Sequence, residues 1–160
     1  MKLIFSILLA PMLYACVASY EKGLEDNSDI VFINAELSPP LGPYSSIVRA
    51  GGLFFTSGIV AFDAEKGAFA AADIGAQTEQ VFDNLETVLA SAGVGLGDLV
   101  KITVYLKNPS DVRAMNAVYE QRLGNLRPAR TTVPGADWGR DDILIEIDVV
   151  AVFRGAENTH

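Results

Sequence analysis

The run of eleven residues from Ile143 to Phe153 constrains the fold more than any other part of the chain. Side chains alternate between the two faces of a β-strand, so this run places isoleucine, valine and alanine on one face. Glu146 and Asp148 fall on the other face, where carboxylates are costly unless they are paired or hydrated. The run therefore predicts a strand in a sheet that has one covered face and one face carrying two carboxylates.

Other segments predict the rest of the sheet. Val100–Leu106 alternates apolar and polar residues, which is typical of a strand with one wet face. Gly51-Gly52 lies between two short apolar runs and predicts a hairpin with a two-residue turn. Asp63–Gly67 is predicted to be a loop. The remaining predicted strands are Ile30–Ile33, Ser46–Arg49, Leu53–Ser57 and residues 129–133.

Two helices are expected between these strands. Apolar residues recur with a period of 3.6 from Ile74 to Ala92, and Gly93 suits the end of that helix. Ser110 is expected to cap a second helix that ends at Gly124. The resulting order is β-β-β-α-β-α-β-β, which predicts an α+β fold with both helices on one face of the sheet.

The composition excludes several classes of protein. The chain has 160 residues with one Cys and one His, so an intrachain disulfide and the usual zinc ligand sets are excluded. The single histidine, His160, is the last residue of the chain, which leaves no Ser/His/Asp triad within a folded domain. A net charge of −8 argues against a nucleic-acid partner, because affinity for phosphate comes mainly from Lys and Arg. Nothing in the sequence calls for a metal or an organic cofactor.

The N-terminus predicts export. Residues 1–15 begin with Met1-Lys2, continue as a mostly apolar run and therefore resemble a signal peptide. The run ends in Leu13-Tyr14-Ala15-Cys16, which is similar to a bacterial lipobox with Cys16 as the lipidation site. Residues 16–29 are then a polar, acidic tether, and residues 30–160 form the domain. In this interpretation the membrane is contacted only through the lipid; plain secretion, an uncleaved anchor and a cytosolic protein remain alternatives.

The candidate chemistry lies in carboxylates and one arginine. Glu146 or Asp148, if it faces a pocket, can orient or deprotonate water, although a solvated row of side chains is the simpler interpretation. Arg130 follows Pro128 in an extended segment and is the natural partner for one of these carboxylates, because a guanidinium matches a carboxylate in two-point contact. A surface salt bridge is the alternative role for Arg130.

Taken in order, a set of short motifs resembles the RidA (YjgF) family over residues 31–154. The motifs are Gly42-Pro43-Tyr44-Ser45, Leu53-Phe54-Phe55-Thr56-Ser57-Gly58, Ala76-Gln77-Thr78 with Asn84-Leu85, Val100–Leu106, Asn116-Ala117-Val118-Tyr119, Arg127-Pro128-Ala129-Arg130 and Ile145-Glu146-Ile147-Asp148. The resemblance implies a chorismate-mutase-like fold with a mixed sheet, a homotrimer and ligand clefts between subunits.

The resemblance also implies an activity, the hydrolysis of 2-imino acids such as 2-iminopropanoate and 2-iminobutanoate to 2-keto acids and ammonia. Arg130 would bind the substrate carboxylate and Glu146 would position water. The family's other ligand-binding positions match five residues here: Tyr44, Ser57, Gly58, Asn116 and Thr132. Thr132 stands where the family commonly has Cys, so a thiol nucleophile is not expected.

Two departures from the family pattern leave other functions open. Ile59 stands where the family often has Gln, and the segment from Val133 to Asp142, which contains Trp138, is atypical. An exported protein is also separated from the cytosolic enzymes that generate reactive enamines. A non-catalytic binder of small carboxylates or an interaction protein is therefore the main alternative, followed by another reaction in the same cleft, such as hydrolysis of a different imine or an amide.

Overall fold

The structure is a computed structural model that describes residues 30–35, 37 and 42–154. The predicted signal peptide (1–15), Cys16 and the tether (16–29) lie outside the described residues and stay predictions. No helix in the described part of the chain is both long and apolar enough to cross a bilayer.

Within the described residues, nine strands form two sheets. They are β1 Val31–Ile33, β2 Ile47–Ala50, β3 Leu53–Thr56, β4 Ile59–Val60, β5 Phe62–Asp63, β6 Ala68–Phe69, β7 Leu99–Leu106, β8 Ala129–Pro134 and β9 Ile145–Val152. The main sheet has seven strands in the order β1-β2-β3-β9-β7-β8, with β4 also paired to β9, while β5 and β6 form a separate hairpin. The β7–β8 pair is parallel and the other pairs are antiparallel, so the sheet is mixed as expected.

Two α-helices, α1 (Ile74–Ser91) and α2 (Val112–Leu123), pack on one face of this sheet. The side chain of Asp73 caps α1 by accepting a hydrogen bond from the backbone N–H of Ala76. The apolar stripe of α1 is buried against the sheet, with Val81, Leu85 and Leu89 fully inaccessible to solvent. The α+β fold and the placement of the helices are therefore confirmed.

The alternation in β9 is also confirmed. Its isoleucines, valine and alanine at every second position are buried beneath the helices, whereas Glu146 and Asp148 lie on the opposite, open face. On the neighbouring strand β7, Tyr105 is paired with Glu146 and Thr103 with Asp148. The sheet thus carries the two carboxylates on the face that its own helices leave uncovered.

The segment Asp63–Gly67, predicted to be a loop, forms the turn of the β5–β6 hairpin, with Asp63 as the last residue of β5. The carboxylate of Asp63 accepts hydrogen bonds from the backbone N–H groups of Glu65 and Lys66, at 3.1 and 3.0 Å, and so closes the turn. The Gly51-Gly52 turn is as predicted, since both glycines have positive φ, 56° and 78°.

Two predicted element boundaries are wrong. Ser110 does not cap α2, because Pro109–Asp111 forms a 3₁₀ turn and the helix begins after Asp111. The last strand begins at Ile145 rather than Ile143, because the backbone N–H of Leu144 is taken by the side chain of Gln77 at 2.9 Å.

Candidate functional site

Arg130 lies on the edge strand β8, where α2 holds its guanidinium. Nη1 of Arg130 donates a hydrogen bond of 2.7 Å to Oδ1 of Asn116, and the guanidinium carbon stands 4.8 Å from the centre of the Tyr119 ring. Asn116 and Tyr119 are three residues apart on α2 and so share one face of the helix. These contacts orient the cation while leaving its charge uncompensated: in residues 42–154 Arg130 forms no salt bridge.

A cavity of about 370 Å³ adjoins this guanidinium. Its walls combine apolar side chains with the polar groups of Asn116, Arg127 and Arg130, and the carboxylate of Glu120. Burial raises the pKa of the Tyr119 phenol, and the positive charges of Arg130 and Arg127 act in the opposite direction. This end of the protomer is suited to binding a small anion beside an apolar group.

Glu146 lies in a different environment on β9. Its Oε2 accepts a hydrogen bond of 2.6 Å from Nε1 of Trp138. Its other oxygen, Oε1, lies over Gly58, so close that a Cβ at position 58 would be 1.9 Å from it. Gly58 therefore provides the space that the carboxylate occupies.

The charge of Glu146 is disfavoured by its surroundings. Burial raises the pKa of this carboxyl above its ordinary value, the hydrogen bond from Trp138 lowers it and the charge of Asp148 raises it again. Asp148 also raises the pKa of the Tyr105 phenol, mainly through its negative charge. A carboxylate with a raised pKa can accept a proton from water more readily than an ordinary one.

The structure also describes the remaining predicted site residues, Ser57, Tyr44 and Thr132. The hydroxyl of Ser57 donates to the backbone carbonyl of Ser45 at 2.7 Å, which fixes the strand end before Gly58 against the turn that carries Tyr44. Tyr44 itself is exposed. Thr132 is half-buried and lies two residues beyond Arg130, on the same face of β8.

Arg130 and Glu146 do not meet within one protomer. Arg130 is in register with the buried Ile102 of β7 and so faces the helices, whereas Glu146 is in register with Tyr105 and faces the open side. Strand β7 also separates β8 from β9. The predicted pairing of Arg130 with Glu146 or Asp148 is therefore not made here, because the two groups occupy opposite faces of the sheet.

Two residues of the site were not predicted to have a role in it. Tyr119 was named only as the last residue of the Asn116-Ala117-Val118-Tyr119 motif, although its spacing of three residues from Asn116 signals a shared face. Trp138 was noted without a role, since nothing in a loop sequence indicates which strand an indole will reach. Only the folded chain brings Trp138 to Glu146.

The chain is similar to known proteins over most of its length. The family model described as Endoribonuclease L-PSP matches residues 35–153. A RutC family protein of Pyrococcus horikoshii is 40% identical over 112 residues, covering 70% of this chain and 88% of that protein. A 2-iminobutanoate/2-iminopropanoate deaminase of Salmonella typhimurium is 37% identical over 117 residues, covering 71% and 90%. The crystal structure of E. coli TdcF with bound serine is similar with a TM-score of 0.69 and 29% identity, covering 76% of this chain and 98% of that one.

Proposed function

The chain belongs to the Endoribonuclease L-PSP family, the RidA (YjgF) family that its motifs resemble, and we propose that it hydrolyses 2-imino acids to 2-keto acids and ammonia. The observation that carries the proposal is the guanidinium of Arg130, which is held in place by Asn116 and Tyr119 but left without a counter-ion among the described residues. Such a cation is suited to binding the carboxylate of a small substrate. The deaminase name of the Salmonella relative and the serine in the TdcF structure fit a ligand of amino-acid size.

In the proposed reaction Arg130 binds the substrate carboxylate and Glu146 acts as the base. Glu146 takes a proton from water while the water oxygen bonds to C2 and the C=N π electrons move to nitrogen. The protonated Glu146 then returns its proton to the amine of the tetrahedral adduct. The C–N bond breaks with its electron pair leaving on nitrogen, while the adduct's hydroxyl gives its proton to Glu146, which yields the keto acid and ammonia. Glu146 then releases this proton to solvent and is ionised again. Positioning and one base suffice for an electrophile as reactive as an iminium.

Because the two groups face opposite sides of one sheet, the proposal requires that a site combine Arg130 of one protomer with Glu146 of another. A homotrimer with clefts between subunits satisfies this requirement. The open face of the sheet, which carries Glu146, is the surface that a neighbouring subunit would cover.

The assay generates 2-iminopropanoate in situ from alanine with an amino-acid oxidase and follows keto-acid release. Arg130→Ala should lower kcat/KM by about 100-fold, because a charge-assisted contact to the substrate carboxylate is lost. Arg113→Ala is the matched control, since Arg113 is exposed on α2, the helix that contacts Arg130, and forms no ion pair in the described part of the chain. Equal rates for the wild type and Arg130→Ala would refute the deaminase proposal.

Co-expression tests whether the site is shared. Arg130→Ala and Glu146→Ala are each expected to be inactive, and a random mixture of the two should recover about a quarter of wild-type activity. That fraction follows because one site in four receives its Arg and its Glu from intact positions on different subunits. No recovery in verified mixed trimers would contradict a shared site.

Binding of small carboxylates without catalysis is the second candidate function. It is favoured because Arg130, oriented by Asn116 beside the cavity, could hold an anion without any contribution from Glu146. Calorimetry with a 2-keto acid separates the two functions, since binding without turnover supports the second. Despite the family description, RNA cleavage is not proposed, because the chain carries a net charge of −8.

The proposed location is outside the cytosol, on a lipid attached at Cys16. The support is the lipobox-like sequence Leu13–Cys16 at the end of an apolar run. Mass spectrometry of the product made from the full-length chain in its host tests this, since a diacylglyceryl adduct on Cys16 is expected. An unmodified chain that begins at Met1 would favour the cytosolic alternative.

A further inference from the structure

We propose that Trp138 is a positioning residue that holds Oε2 of Glu146 and thereby assigns Oε1 as the oxygen that takes the proton from water. The inference rests on the proposed deaminase function and gives the two carboxylate oxygens different roles, one held by Trp138 and the other accepting the proton. It starts from the 2.6 Å hydrogen bond between the Trp138 indole and Oε2. Indole N–H is a donor only, so this contact favours the ionised carboxylate, which is the stronger acceptor.

The segment before β9 is built to hold the indole in place. Gly135 and Gly139 on either side of Trp138 have φ angles of 81° and 66°, which allow the tight bends of the loop. The backbone N–H of Ala136 donates to the carbonyl of Leu106 at 2.9 Å, which ties the start of the loop to the end of β7. The loop therefore leaves the sheet at a fixed point.

The far side of the loop is tied down as well. Nζ of Lys107 donates to the carbonyl of Arg140 at 2.9 Å and also forms an ion pair with Asp141. The fully buried side chain of Gln77 donates to the carbonyl of Asp142 at 2.8 Å. With both ends anchored, the indole is a fixed donor rather than a surface side chain that happens to reach the carboxylate.

Gly58 completes the arrangement on the opposite side of the carboxylate. Oε1 lies over Gly58, whose lack of a side chain makes room for the carboxylate in this position. Oε2 accepts the hydrogen bond from Trp138, whereas Oε1 accepts none from the described residues. The two oxygens of Glu146 are thus inequivalent, and Oε1 is the one left to a ligand or water.

The hydrogen bond has an electrostatic consequence. Burial and the charge of Asp148 both raise the pKa of Glu146, and the Trp138 donor opposes them. The titratable groups that face Glu146 are Asp148 on its own strand and Tyr105 on β7, while β4 contributes none. Loss of the donor should therefore leave the carboxylate protonated over a wider pH range.

Trp138→Phe tests the proposal, because it removes the N–H donor and keeps most of the aromatic ring. The acid limb of the kcat/KM profile should move upward by about one pH unit, since a hydrogen bond to a charged group contributes on that scale. At low pH kcat should fall about tenfold while KM changes less than about twofold, since substrate binding depends on Arg130. A change in KM alone, with an unshifted acid limb, would overturn the assignment.

A second readout does not depend on activity. Trp138 is the only tryptophan of the chain, so selectively excited fluorescence reports on the indole beside Glu146. In the wild type this fluorescence should titrate with a midpoint above the ordinary value for glutamate, 4.5. Glu146→Gln should abolish that titration, and Asp148→Asn should lower its midpoint because it removes the negative charge that raises the pKa.

The two readouts separate the inference from the proposed function. A titration that persists in Glu146→Gln would show that Trp138 does not contact Glu146, and the inference would be wrong whatever the enzyme does. A titration that follows Glu146 in a protein without deaminase activity would support the contact and refute the proposed function.

Discussion

Gly58→Ala should move the proposed base without disturbing the fold. The three atoms nearest to a Cβ at position 58 all belong to Glu146: Oε1 at 1.9 Å, Cδ at 2.4 Å and Cγ at 2.9 Å. Ordinary contact requires about 3.4 Å or more, so the carboxylate must retreat by roughly 1.5 Å. The backbone of Gly58 does not have a positive φ, so alanine itself is not strained there.

The expected losses follow from this displacement. A shift of more than 1 Å in a catalytic group lowers the rate by about 100-fold, and kcat/KM for imine hydrolysis should fall on that order. The same shift stretches the Trp138–Glu146 hydrogen bond, whose loss costs about 1.5–3 kcal/mol, while replacing glycine by alanine returns about 0.4–1 kcal/mol. The free energy of unfolding should therefore fall by only about 1–2 kcal/mol.

A double-mutant cycle tests this reasoning directly. Urea denaturation at a fixed protein concentration would compare Gly58→Ala in the wild type and in Glu146→Ala, where the obstructing atoms are gone. In the Glu146→Ala background the substitution should be neutral or slightly stabilising, which gives a coupling energy of about 2 kcal/mol. Equal destabilisation in both backgrounds would refute the steric argument, because the cost would then arise elsewhere.

Three further predictions concern stability and are checked by urea denaturation. Arg122→Met should lower the free energy of unfolding by about 2 kcal/mol, because it removes three ion pairs from α2 to carboxylates of α1 and a cation–π contact. Arg113 is exposed, so the control Arg113→Met should have little effect. Gln77→Leu should lower the free energy of unfolding by about 2–4 kcal/mol, because it leaves the carbonyl of Asp142 and the N–H of Leu144 without partners. The control Gln121→Leu, on the surface, should change that free energy by less than about 0.5 kcal/mol. Glu146→Gln should stabilise the protein at pH 7, because a carboxyl whose pKa is raised in the folded state contributes stability that is lost as pH rises through that pKa. The stability gained by the variant should vanish below the ordinary pKa of 4.5. A variant that is less stable than the wild type at pH 7 would contradict the raised pKa.

Much of the fold could be predicted from local patterns in the sequence. The alternation in the last strand and the stripe of α1 both indicate which side chains are buried, because the periods of strand and helix are fixed by backbone geometry. One error is local, since a 3₁₀ turn at Pro109–Asp111 delays the start of α2, and the other occurs where a side chain from a distant part of the chain competes for the backbone. Gln77 shortens the last strand in this way, although it lies 67 residues from Leu144 in sequence.

The same division applies to the candidate site. The sequence by itself predicted the residues of the proposed chemistry, since Arg130 and Glu146 stand out by residue type, by spacing and by their place in an ordered set of motifs. It could not determine that these residues face opposite sides of the sheet, because that depends on the parallel register of β8 with β7 and the antiparallel register of β9. Nor could it determine that Trp138 reaches Glu146 across a loop. Contacts between strands and loops depend on three-dimensional packing, and for this reason only the tertiary structure places Arg130 beneath the helices and Glu146 beside Trp138.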